Sequence, residues 1–251
     1  MKYILILTVL LTSTAFAAPD FDETIAAAKQ GEAYAQNNLG LMYDNGVGIA
    51  EDYAEAVKWY HKAADQGNAE AQFNLALMYD NGKGVPENDS EAVKWYRKAA
   101  ADGDQAAQFN LGFMYDHGEG TPEDDKEAVK WYRKAADQGL AEAQYNLGIM
   151  YAKSGDGVSQ NDAEAFKWNR EAARQGFSKA QSDLGFMYAT GTGVPIDNIR
   201  AYVWWVMAII QGDARSSASL DWLKPKMAAQ KIATATDKAT KCYESKYKDC
   251  D

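Results

Sequence analysis

The chain has 251 residues, 36 acidic against 26 basic, giving a formal charge of −10 and a pI of about 4.8. Hydrophobic residues make up 47% of it and charged ones 25%, the composition of a chain that packs a core and not of a disordered one. A surface this acidic repels phosphate backbones. Its Lys and Arg residues alternate with acids, as in EAVKWYRKAADQG, so nucleic acid is excluded as an expected partner.

In chain order, MKYILILTVLLTSTAFA opens with one Lys, an apolar run from Tyr3 to Leu11 and an Ala15-Phe16-Ala17 exit. That is the layout of a cleaved export signal, residues 1–17, and its apolar run is too short to anchor the chain in a bilayer. The mature protein is therefore expected to be exported without membrane insertion: periplasmic if the source has two membranes, otherwise secreted. Residues 18–32 follow as one capping helix, DFDETIAAAKQG, ending at Gly31.

Residues 33–212 repeat themselves five times. Gln36, Gln72, Gln108 and Gln144 are spaced by 36 and Gln181 follows by 37, and Tyr43, Trp59 and Gly67 head columns with the same steps. A period of this length marks stacked supersecondary units. The single extra residue falls around Ser154-Gly155, where a turn absorbs it.

Each unit predicts two helices. In the second copy Ala71, Leu75, Met78 and Tyr79 form one helical face, and Ala92, Trp95, Tyr96, Ala99 and Ala100 form the other. DNGKGVP, with two glycines and a proline, breaks the chain between them. Asp52, Asn88, Asp124, Asn161 and Asp197 stand where second helices need N-caps. Glu55, Glu91, Glu127 and Glu164 stand three residues on, in capping-box register, and Arg200 breaks that series. The Gly67 column suits left-handed C′ positions. Small residues at Gly40, Ala76, Gly112, Gly148 and Gly185 predict close helix–helix approach.

Residues 213–251 are expected to hold a degenerate half-repeat and a closing helix, with Ala228, Ile232, Ala235, Ala239 and Cys242 on one face. Cys242 and Cys250 are the whole cysteine inventory. In an oxidising compartment the pair suggests a disulfide, which requires the helix to stop near Tyr247 and the tail to fold back.

AEAQFNLALMYDNGKGVPENDSEAVKWYRKAA resembles the Sel-one-like repeat, a relative of the tetratricopeptide repeat. The resemblance implies an all-α, right-handed superhelical solenoid of antiparallel helix pairs with a concave inner face, and a non-catalytic adaptor that binds a protein or peptide there. One cysteine-rich branch of that family is associated with binding penicillin-like compounds, but the Cys pair that branch places in each repeat is absent from these copies.

For partner contact the candidates are the column Asn38, Asn74, Asn110, Asn146 and Asp183, together with Phe73, Phe109 and Tyr145 in the neighbouring column of Asn37 and Ser182. Repeated amides can clamp an extended peptide backbone, or they can satisfy groups of the adjacent helix. His61 and His117 read as structural or surface residues, and DNGKGVPENDSE lacks the side-chain oxygens of a calcium loop. No catalytic, metal or cofactor residues are expected. The alternative is a cell-envelope hydrolase or small-molecule binder, acting on a peptidoglycan fragment or β-lactam.

Overall fold

A computed structural model describes residues 21–153, 155 and 158–250, so the expected export signal lies outside the described residues. It divides into two compact units, Met1–Trp131 and Tyr132–Asp251. The described residues form helices and turns with no strand, only an isolated bridge between Gly155 and Val158.

The first unit begins with α1 (Phe21–Gln30), against which α2 (Ala33–Asn45) packs. The hairpins α2–α3 (Tyr53–Asp65) and α4 (Ala69–Asn81)–α5 (Asp89–Ala101) follow, then α6 (Gln105–His117). The unit boundary falls inside α7 (Asp125–Asp137). Beyond it stand α8 (Ala141–Ala152) with α9 (Asp162–Arg174), and α10 (Ser178–Thr190) with α11 (Asn198–Ile210). The short α12 (Ala214–Leu223), a 3₁₀ turn at Lys224–Lys226 and α13 (Ala229–Glu244) close the chain.

Each second helix starts on the cap expected of it. Asp52 accepts from the amides of Ala54 and Glu55, Asn88 from Glu91, Asp124 from Lys126 and Glu127, Asn161 from Glu164, and Asp197 from Ile199 and Arg200. The reciprocal half of a capping box does not form. The cap residue's own N–H instead meets a carbonyl of the preceding first helix, as Asp52 with Tyr43, Asn88 with Tyr79 and Asp197 with Tyr188, each at 2.9 Å. The acid is thereby released to pair with Lys, Glu127 with Lys130 at 2.8 Å, and to accept the indole N–H of Trp131 at 3.0 Å.

Close approach of the paired helices has a specific cause. A Cβ on Gly40 would sit 2.6 Å from the Tyr60 ring, and one on Gly185 2.6 Å from the Trp205 ring. In these two hairpins the aromatic side chain of the second helix therefore lies directly on the backbone of its partner. The buried Leu39, Leu75, Leu111, Leu147 and Leu184 stand one residue before these positions. At about 25 cal/mol per Å² such aromatic burial contributes several kcal/mol per unit.

The Gln column joins one repeat to the next. Gln36, Gln108, Gln144 and Gln181 donate at 3.1 Å to the carbonyls of Ala28, Ala100, Ala136 and Ala173, and Gln72 to Ala64 at 3.4 Å. These carbonyls sit in the last turn of the preceding second helix, where intrahelical donors run out.

At the far end α13 lies on α11 and buries Ala235, Ala239 and Cys242. It stops at Glu244, three residues earlier than expected, because Lys246 and Tyr247 take left-handed φ values of 52° and 67° and reverse the chain. Tyr247 N–H closes the turn on the Cys242 carbonyl at 2.9 Å. The reversal brings the Cα atoms of Cys242 and Cys250 to 4.5 Å, and the two are joined by a disulfide.

Candidate functional site

The candidate columns lie on first helices, and the structure shows what each side chain meets. Asn74 Nδ2 donates to Oδ1 of Asn37 on the preceding first helix, 3.2 Å away. In the second unit the same pair of positions is Tyr145 and Asp183, with the hydroxyl donating to Oδ2 at 3.1 Å. The two columns therefore contact each other: the variable residue of one copy sets the partner of the polar residue in the next. Where the variable residue is Phe73, the following Asn110 finds none. Asn110 is 4% exposed and has only the Tyr96 hydroxyl beside its amide. Phe109 is 5% exposed and belongs to the core, whereas Asn38, Asn74, Asn146, Phe73 and Tyr145 are half-buried.

Two acidic positions on the same helices are structural. The Tyr60 hydroxyl donates to Asp44 at 3.2 Å and the buried Tyr96 hydroxyl to Asp80 at 3.1 Å. Burial, assisted by the carboxylates, raises both phenols well above their ordinary range. Asp44 is itself raised, chiefly by burial, against the opposing pull of the Tyr60 hydrogen bond and Lys83. The copies record this pairing. Where Asn169 and Trp205 replace the tyrosine, Ala152 and Ala189 replace the aspartate.

Asp183 is raised by burial as well, with the Tyr145 hydrogen bond and Arg215 pulling the other way. Arg215 lies 3.9 Å from Asp183 and 2.9 Å from Asp213. A cavity of about 480 Å³ opens here, lined by Tyr145, Lys179, Gln211, Asp213 and Arg215 among others.

A further column of the first helices lies outside the initial candidates. Leu41, Leu77 and Phe113 in the first unit, and Ile149 and Phe186 in the second, stay partly exposed between the buried Gly/Ala and Met columns. Phe186 is 57% exposed. Asn45, Asn81 and Thr190 each bond back to the carbonyl of the residue in this column at 2.8–3.0 Å, and the His117 ring stacks on Phe113 at 4.0 Å. The sequence signal was there: these residues vary in kind but are always large and apolar.

On the second helices, His61 Nε2 meets Tyr79 Oη at 3.0 Å, and Lys62 and Lys98 lie 3.7 and 3.6 Å over the rings of Trp59 and Trp95. Among the described residues no group of three or more His, Cys, Asp and Glu is placed to hold a metal ion, and no helix is long and apolar enough to cross a membrane.

The Sel1 repeat model matches five successive stretches, residues 33–68, 69–104, 105–140, 141–177 and 178–213. The chain is 37% identical to a protective antigen present in uropathogenic Escherichia coli strains, whose crystal structure displays an SLR fold. That match has a TM-score of 0.79 and covers 88% of this chain and 48% of that one. A Sel1 repeat protein from Oxalobacter formigenes is also 37% identical, with a TM-score of 0.69 and coverage of 80% and 78%. The chain spans about half the length of the Escherichia coli protein. No curated protein matches the sequence.

Proposed function

The chain belongs to the Sel1 repeat family, and on that premise we propose that it is a non-catalytic, exported scaffold that binds a protein or peptide segment along its first helices. One observation carries the reading. Leu41, Leu77 and Phe113 recur at repeat spacing as partly exposed apolar side chains, flanked by half-buried Asn38 and Asn74. Apolar anchors at regular intervals with amides beside them match what an extended segment offers, alternate side chains and a backbone of donors and acceptors. Asn38, Asn74 and Phe73 border this face in the first unit, and Asn146, Asp183 and Tyr145 stand at the same positions on the first helices of the second. Phe109 and Asn110 support the face from beneath. Export rests on the layout of residues 1–17.

Site-specific photo-crosslinking tests this. A photoreactive residue at Leu77 or Phe113 is expected to trap a partner protein in cells expressing the chain. The same residue at Lys94, on a second helix, is expected to trap none. Crosslinks from position 94 alone would overturn the assignment.

A further inference from the structure

We propose that the first-helix face of the N-terminal unit selects partner segments that are cationic as well as apolar, a refinement that rests on the scaffold reading above. The distribution of charge is the ground for it. α2, α4 and α6 contain no Lys or Arg, yet carry Asp44, Glu70, Asp80 and Asp116. Of the nine basic residues in 21–131, eight lie on α1, α3, α5 and α7; the ninth, Lys83, is in a loop, 4.9 Å over the Tyr53 ring.

Three of those second-helix cations pair with acids of their own helix, Lys58 with Glu55, Lys94 with Glu91 and Lys130 with Glu127, at 2.5–2.8 Å. The acid excess is equally uneven along the chain. Residues 21–131 hold 21 acidic and nine basic residues, whereas residues 132–251 hold 14 and 16. The whole negative excess thus belongs to the unit whose first helices lack a cation.

A segment laid over Leu41, Leu77 and Phe113 meets helices that carry acids and no Lys or Arg of their own; Arg97 of α5 reaches only the Tyr115 hydroxyl of α6. Acidic segments are repelled there, and Lys or Arg side chains on either edge are attracted. Glu70 is exposed and open to direct pairing, whereas Asp44 is half-buried, accepts from Tyr60 and already has Lys83 near it. Exposed Tyr34 at the start of α2 adds an aromatic surface over which a guanidinium can stack.

The test uses the full chain and three fluorescein-labelled synthetic peptides of about 12 residues, roughly 40 Å when extended. One is built from Lys-Leu-Gly, one from Glu-Leu-Gly and one from Lys-Ser-Gly. Fluorescence anisotropy is expected to show the Lys-Leu peptide binding at least about tenfold tighter than either control, and more weakly as salt is raised. Glu70→Lys is expected to cut that affinity several-fold at an unchanged thermal midpoint, and Leu77→Ser to cut it further.

If the Glu-Leu peptide binds equally well and Leu77→Ser abolishes that binding, cation selection is wrong while the scaffold face stands. If Lys-Leu binding ignores Leu77→Ser, the peptide is held elsewhere by charge alone, and both readings fail. No binding of the Lys-Leu peptide overturns the selection, leaving the crosslinking experiment as the separate judge of the face.

Discussion

At the scale of single residues, departures from the repeat expose what each column does. Gln66, Gln175 and Gln211 donate to the buried Gln36, Gln144 and Gln181, fixing the amide that bonds the previous helix end. In the second copy Asp102 replaces that donor, and Gln72 Oε1 is left buried without a partner. Asp102 also places a negative charge at a helix C-terminus, where the dipole disfavours it. Asp102→Gln is therefore expected to stabilise the protein by about 1 kcal/mol in denaturant unfolding. The constancy of the Gln column was plain in the sequence. Its purpose was not, because the bond spans the corner between two helices and no periodicity reports it. Trp204 gives a parallel case: Arg200 stands where Glu127 and Glu164 accept the indole N–H of Trp131 and Trp168, and the Trp204 N–H has no acceptor.

Asp183 yields a pH dependence of definite sign. Its folded pKa lies above the unfolded value, so the site favours the protonated form: its contribution is most favourable below pH about 3.8 and declines as pH rises through the folded pKa. Asp183→Asn keeps an acceptor for the Tyr145 hydroxyl and restores the Asn of the other copies. It is expected to raise the thermal midpoint at pH 7, with the gain shrinking toward zero near pH 3.

At the scale of elements, the helix hairpin was largely legible: both apolar stripes, the N-caps and the left-handed glycines, with Gly67 at φ 87° and Gly103 at φ 97°. The capping box was misread. Spacing reports that Glu55 can reach back, but not that the Tyr43 carbonyl already occupies the Asp52 N–H. The Asp44–Tyr60 pair escaped for a related reason, since its members lie 16 residues apart on different helices. Only their joint loss in the later copies betrays them. Helix approach sets the element-scale prediction. Gly185→Ala forces a methyl against the rigid Trp205 indole and is expected to cost about 1–3 kcal/mol in denaturant unfolding. Gly148→Ala meets the flexible side-chain amide of Asn169 and is expected to cost clearly less.

At the scale of the molecule, five copies of one hairpin give each unit a run of interchangeable parts, and the proposed binding rests on what the copies do not share. The invariant columns are interior or cap helices. The variable ones, Leu41/Leu77/Phe113 and Asn37/Phe73/Tyr145, reach or border the first-helix face. The architecture was legible by columns, and so were the polar and aromatic residues placed in the proposed face. The columns missed the apolar ridge, whose residues look like ordinary core, and the uneven division of charge, which an overall figure of −10 conceals.

Hydrogen exchange with mass spectrometry, comparing the free chain with its complex, addresses the first-helix assignment most directly. Slowed exchange is expected on complex formation within residues 33–45, 69–81 and 105–117, with 53–65 and 89–101 unchanged. Protection confined to those second helices would contradict that assignment.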